Sequence, residues 1–276
     1  NKQFARVSLA FLIASAITLG MLILAITLVA QSYRGMEQAK VTAAAATARQ
    51  LALSVDDRIN AITQPPATAL ALLRHDPLTQ SSTLEQRLQR LPVIADVLTS
   101  SDIVSAVYAG YDNGDFFLFR KIRSSGSLQF PDAPATSRYL LQSLEYQGNL
   151  RKGIWQFYNS DLELLERRSL PDYDYDPRQR PWYKKAMSLG SASFTEPYQD
   201  ASTNDMIIST LAPVKRGEYA GVAGADIGLG AIAKTLSTVT LADTGYAALI
   251  NERGTILFHP RQSLVGKNIS ELIGGK

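Results

Sequence analysis

The residues with the most chemical potential lie between Tyr175 and Asp226. Arg180, Trp182 and Tyr183 follow Tyr175 closely, then come Tyr198 and Asp200, and Asp226 closes the segment. A guanidinium fork meets a carboxylate through two parallel hydrogen bonds, so Arg180 is suited to hold an acid group. An ammonium group needs acceptors or aromatic faces, and Asp200, Asp226 and the neighbouring Tyr and Trp rings offer both. With Arg180 on one side and the two acids on the other, a pocket would match a zwitterion of amino-acid size. The chain has two histidines and no cysteine, and neither histidine falls in this segment. That leaves no nucleophile–base pair, and paired acids alone do not make a catalytic site. No catalytic residue, metal or cofactor is expected.

Blander roles are open for several of these residues. Trp182 and Tyr183 can be core aromatics of a short helix. Asp226 can cap a helix starting near Gly228, and Arg178 reads as an ion-pair partner. The alternation Asp172, Asp174, Asp176 lacks the glycine and final glutamate of a calcium loop, which makes it a solvated acidic loop. Tyr108, Tyr111 and Phe117 read as sheet packing, with room for one of them in a pocket wall. His75 and His259, far apart and flanked by turn residues, make a poor metal site.

The remaining chain must carry this segment to its place of work. Val7 to Ala30 is a run of 24 uncharged, mainly apolar residues, roughly 36 Å as a helix and enough to span a bilayer core with some tilt. Lys2 and Arg6 precede it, which by the positive-inside rule places the N-terminus in the cytoplasm and the rest outside. The competing reading is a cleaved signal peptide ending near Leu28-Val-Ala30, but the apolar run is long for one. The net charge is only +3, and the basic residues are scattered, so nucleic acid is not an expected partner.

From Gln31 to about Ile62 the composition favours helix. Val41, Ala44, Ala48, Leu51, Val55 and Ile62 form an interrupted a/d seam, suited to a second copy near Val41 and to the chain's own sheet near Ile62. Pro65-Pro66 is expected to end this helix. Helical patterns follow at Ala67 to Arg74 and Thr83 to Leu98; the second has a capping box at Thr83-Leu-Glu-Gln86 and is divided by Pro92. Ile103 to Tyr111 and Asp115 to Ile122 read as a hairpin across Asp112-Asn113-Gly114. Ser124 to Pro134 reads as a loop, Ala135 to Tyr146 as a helix, and Ile154 to Tyr158 with Leu162 to Arg167 as another hairpin. Pro181 to Met187 reads as a short helix with proline in its first turn. Strands are expected at Met206 to Val214 and Tyr219 to Ile227, a helix at Gly228 to Leu236, and a last hairpin at Gly245 to Asn251 and Thr255 to His259. This order is an α+β pattern built on antiparallel sheet.

At this point the residues resemble a known family. Arg180-Pro-Trp-Tyr, Tyr198-x-Asp200, Pro213-Val and Gly221-Val-Ala-Gly-Ala-Asp226 are similar to the double Cache sensor module of bacterial transmembrane receptors. Tyr246 to Gly254, His259-Pro260 and Leu264-Val-Gly266 resemble the start of that family's membrane-proximal module. The resemblance implies two PAS-like modules along one long helix, the second incomplete here. It also implies a ligand in the distal module. Tyr175, Arg180, Trp182, Tyr198, Asp200 and Asp226 fit the pattern of an amino-acid-sensing subset. By that resemblance Arg180 and Trp182 meet the ligand carboxylate, and Tyr198, Asp200 and Asp226 its ammonium; Tyr183 is added as a neighbouring candidate.

The resulting expectation has a cytoplasmic N-terminus at residues 1–6, a transmembrane helix at 7–30 and a signalling and dimerisation helix at 31–65. A ligand-binding distal module spans 66–228, and a proximal module starts at 229–276. The chain is then the periplasmic sensor of an inner-membrane receptor, a homodimer binding an amino acid or small carboxylate, and not itself an enzyme. Chemotaxis signalling, a diguanylate cyclase or a sensor kinase would be the output beyond Lys276. The alternative is a ligand-independent dimerisation module with a vestigial pocket.

Overall fold

The computed structural model describes residues 9–122, 130, 132–147, 150–171, 173–216, 219–237 and 248–273. The flanking charges Lys2 and Arg6, most of the loop expected at 124–134, and Gly245 and Tyr246 lie outside them. Two compact units divide the chain, Asn1–Asp57 and Arg58–Lys276.

In the first unit the chain is helical from Leu9 onward, as part of α1 (Leu9–Leu73). Its apolar side chains, among them Leu12, Ile17, Leu22 and Ile26, are exposed. The stretch from Phe11 is long and apolar enough to cross a membrane, by length and composition. Val41 of the seam is exposed, while the side chains of Ala44, Ala48, Leu51 and Val55 lie outside the described residues.

The second unit contains the end of α1, which does not stop at the proline pair but continues through Pro65 and Pro66 to Leu73. Two missing backbone donors cost about 3 kcal/mol or more. Burial of Ile62, Ala69, Leu70 and Leu73 along the same helix offsets this, at about 1.5–3 kcal/mol for each large side chain. Tertiary packing overrides the local signal. Next come α2 (Leu84–Leu88), capped by the Thr83 side chain, and α3 (Leu91–Thr99), with Pro92 in its first turn where no donor is needed.

The strands are β1 (Val104–Tyr111), β2 (Phe116–Lys121), β3 (Tyr139–Gln147), β4 (Leu150–Tyr158), β5 (Leu164–Leu170), β6 (Ser193–Phe194), β7 (Tyr198–Gln199), β8 (Met206–Arg216) and β9 (Tyr219–Gly228). They form one sheet in the order β5-β4-β3-β2-β1-β9-β8-β6, with β7 also on β8. Every recorded pairing is antiparallel. The helix expected at 135–146 is instead β3. Leu140, Leu141 and Leu144 are all fully buried, because β3 lies between β2 and β4 and both its faces are covered. A strand buried on both faces loses the alternation that marks strands in a sequence.

The two faces of the sheet differ. One carries Val107, Ala109, Tyr111, Phe117, Phe119 and Leu141 against α1, α2 and α3. On this side Arg87, 1% exposed, donates to Asp115 Oδ2 at 2.8 Å and to the Ser81 carbonyl at 3.2 Å, and its guanidinium lies 4.0 Å from the Tyr111 ring centre. The other face carries Ala106, Tyr108, Phe116, Leu118 and Leu144 against α4 (Pro181–Leu189). After β9 come α5 (Leu229–Ser237), the small hairpin β10 (Leu249–Ile250) and β11 (Ile256–Phe258), and α6 (Ile269–Ile273). Ile62, Ile103, Ile208, Ile227, Leu229, Ile232 and Phe258 join these elements to the sheet in a separate apolar cluster.

Candidate ligand-binding site

The α4 face of the sheet is laid out in rows by strand register. Arg120 is opposite Ala106, Ala106 opposite Asp226, and Asp226 opposite Ser209. Residues directly opposite in adjacent strands share a face, so this row brings a guanidinium, a carboxyl and a hydroxyl together across the small side chain of Ala106. The next row holds Leu118, Tyr108, Gly224 and Leu211. Gly224 makes room for the tyrosine, since a Cβ there would fall 2.4 Å from the Tyr108 ring. One row further, a Cβ at Gly110 would come 2.5 Å from the Trp182 ring. Both glycines are therefore spacers under the aromatic cover.

That cover arrives from the segment before α4. Asp176 caps a 3-10 turn at Pro177–Gln179 and is paired with Arg178 at 2.9 Å, the structural ion pair expected for Arg178. Gly190, with φ +65°, ends α4. Trp182 is buried, 4.8 Å from Tyr108 and 5.5 Å from Tyr183 between ring centres. The Tyr175 ring lies 4.8 Å from that of Phe116, tilted by 41°, and the Arg180 guanidinium lies 5.7 Å from the Tyr175 ring centre.

Tyr175, Arg180, Trp182, Tyr198, Asp200 and Asp226 line one cavity with Tyr108, Phe116 and Leu118. Six of the seven expected residues are thus brought together. Tyr183 packs on Trp182 and does not line the cavity. The space is closed down to about 20 Å³, the room of one or two waters. Arg180 Nη2 makes one long contact with the Gln199 carbonyl at 3.4 Å. No side chain caps the start of α4 beside it.

The acids have distinct environments. Asp200 accepts from Arg120 Nη2 at 2.8 Å and from the Ser202 and Thr203 amides at 2.8 and 2.9 Å. Burial pushes its carboxyl up, but the Arg120 charge and these hydrogen bonds prevail and hold it below the usual value. Asp226 accepts from Ser209 Oγ at 2.6 Å, and Ser209 in turn is 2.7 Å from the Tyr198 hydroxyl. It makes this side-chain bond within the sheet face and not a helix cap. Burial, then repulsion from Asp200, raises the Asp226 carboxyl to about 7. Burial also pushes the Tyr108 and Tyr198 hydroxyls up, so both stay protonated.

Arg120 and Ser209 are not among the expected site residues, whereas Tyr108, one of three sheet aromatics with room for one in a pocket wall, does line the cavity. The signal for Arg120 is an arginine two places after Leu118, following four apolar residues of β2, which alternation puts on the same face as Leu118.

The Cache domain family matches residues 27–276. The chain belongs to the double Cache sensor family. Among its relatives, methyl-accepting chemotaxis protein McpG of Pseudomonas putida is 43% identical over 103 residues, 37% of this chain and 16% of that protein. PctB of Pseudomonas aeruginosa is 36% identical over 100 residues, 36% of this chain and again 16% of the relative. Adenylate cyclase 1 of Rhizobium meliloti is 25% identical over 251 residues, covering 89% of this chain and 37% of the cyclase. This chain therefore spans well under half the length of these relatives. Among solved structures, the ligand-binding domain of the Pseudomonas fluorescens chemoreceptor CtaA, bound to L-alanine, matches with TM-score 0.52 and 26% identity over 81% of this chain and 76% of that one. The PctB domain bound to L-glutamine, with TM-score 0.52 and 21% identity over 80% of this chain and 71% of that one, shares the fold.

Proposed function

We propose that this chain is the extracytoplasmic ligand-sensing region of a transmembrane receptor and that it binds an amino acid between Arg180, Asp200 and Asp226, in a cavity that widens from its present volume of about 20 Å³ to admit it. The observation that carries this reading is that one small cavity is lined both by Arg180, at the uncapped start of α4, and by the carboxyl groups of Asp200 and Asp226. A ligand carboxylate would meet Arg180 and the free amides of the first helical turn, where backbone donors and the helix dipole favour an anion. Its ammonium would lie among Asp226, Asp200 and the tyrosine oxygens. Tyr175 and Trp182 would enclose it, with Tyr183 holding Trp182 in place. The relative bound to L-alanine supports the same ligand class.

The topology of the reading has the N-terminus inside, α1 crossing the bilayer and the sheet outside, with residues 66–228 as the distal module and 229–276 beginning a proximal one. A homodimer along the exposed Val41 side of α1 would carry the signal. Only a ligand's differential affinity for two receptor states can drive that signal. The output is of chemotaxis or cyclase type, in line with the relatives.

A thermal-shift screen of the purified chain in detergent tests the reading. Amino acids should raise the melting temperature, since ligand that binds only the folded state stabilises it. Failure of every amino acid, with or without a response to amines or organic acids, would refute it.

A further inference from the structure

An open groove of about 760 Å³ shares no lining residue with the Arg180 cavity. Its size is that of a small-molecule site. Four basic side chains converge on it from places far apart in the sequence: Arg58 in α1, Lys121 at the end of β2, Arg138 just before β3 and Lys234 in α5. The fold, not a charged run, brings them together. Two of them are held in the wall by neutral acceptors. Arg58 Nη1 donates to the Thr235 carbonyl at 2.9 Å, and Lys121 Nζ to the Leu98 and Ser101 carbonyls at 2.7 and 2.6 Å. Arg138 and Lys234 are exposed. Asp102 is the one acid in the lining, and it pairs with none of the four. Four bases against one acid leave the lining at +3. Like charges gathered at a protein surface repel more strongly than they do in bulk water, and a cleft of one sign focuses its field and concentrates counter-ions. Ile122 and Tyr139, both buried, add an apolar part to the lining.

We propose that this groove is a second ligand site, which binds a small polycarboxylate anion. The acid groups of the anion meet Arg138 and Lys234 beside the anchored Arg58 and Lys121, and its carbon skeleton rests on Ile122 and Tyr139. Arg58 stands on α1, Lys121 on the sheet and Lys234 on α5, so one bound anion ties the long helix to both. The site does not rest on the amino-acid reading, whose cavity contributes no residue to it.

Citrate, which has three acid groups and no ammonium, is the probe. Isothermal titration of the full chain in detergent should give saturable binding that weakens as salt rises, because partly exposed charges are screened. The double variant Arg138→Glu with Lys234→Glu should weaken it by about tenfold or more, and Arg138→Ala alone should weaken it severalfold. Both side chains are exposed, so the melting temperature without ligand should stay that of the wild type. Arg180→Ala should leave citrate binding unchanged. Absence of saturable citrate binding by the wild-type chain overturns the proposal, as does wild-type affinity in the charge-reversed variant. Loss of binding in Arg180→Ala also overturns it, by moving the acid to the first cavity. Amino-acid binding measured on the same samples reports on the first site separately.

Discussion

Arg120 Nη2 lies 2.8 Å from Asp200 Oδ2, and both side chains are 8% exposed. The pair joins the central strand β2 to the loop after β7, so one contact anchors the acid side of the proposed ligand cavity to the sheet. It also means that Asp200 has part of its charge already answered. Of the two acids, Asp226 has the more capacity left for an ammonium group.

Removing one member of such a pair leaves a buried charge alone. Arg120→Met should cost about 3–5 kcal/mol of stability. The double variant Arg120→Met with Asp200→Asn should recover part of that loss. Urea denaturation of the three proteins checks both values, and a double variant no more stable than the single one would count against the pairing.

Asp226 gives the site a pH dependence. Its carboxyl is raised to about 7 in the folded chain, above the unfolded value of about 3.9. Its contribution to stability is thus full below about pH 4 and is lost as pH rises through about 7. Asp200, lowered in the fold, acts in the opposite sense and loses its contribution at more acid pH. Without ligand, melting temperature should fall between about pH 4 and 7, and Asp226→Asn should flatten that slope. Amino-acid affinity should rise over the same upper range, because the ammonium favours the ionised acid. Titrations at pH 5.5, 6.5 and 7.5 check this.

The spacer role of Gly110 predicts a coupled loss. A methyl group there meets the buried Trp182 ring at 2.5 Å and Pro177 Cβ at 3.1 Å. Gly110→Ala should cost about 1–3 kcal/mol through overpacking and weaken ligand binding by displacing Trp182. Denaturation and tryptophan fluorescence on one sample read both effects.

Most elements were legible in the sequence, and the exceptions share a cause. The Asp112-Asn113-Gly114 turn, with Gly114 at φ +95°, the Thr83 cap and the Pro181 helix start are local signals and were read correctly. β3 reads as a helix in the sequence because burial on both faces erases its alternation. Pro65-Pro66 misled because the core supported by Ile62, Leu70 and Leu73 lies far away in sequence. In the site, Tyr175, Arg180 and Asp226 stood out through type and spacing. Arg120 did not, because its importance comes from a strand register that places it two strands from Asp226.

In the proposed complex Arg180 holds the carboxylate of an amino-acid ligand, and Asp200 and Asp226 meet its ammonium group. Isothermal titration of wild type and Arg180→Ala with a panel of L-amino acids tests it directly. Binding near micromolar affinity corresponds to about 8 kcal/mol, and the variant should lose about 2–5 kcal/mol of it while keeping its melting temperature without ligand. Unchanged affinity in Arg180→Ala, or no amino-acid binding by the wild-type chain, would contradict the account.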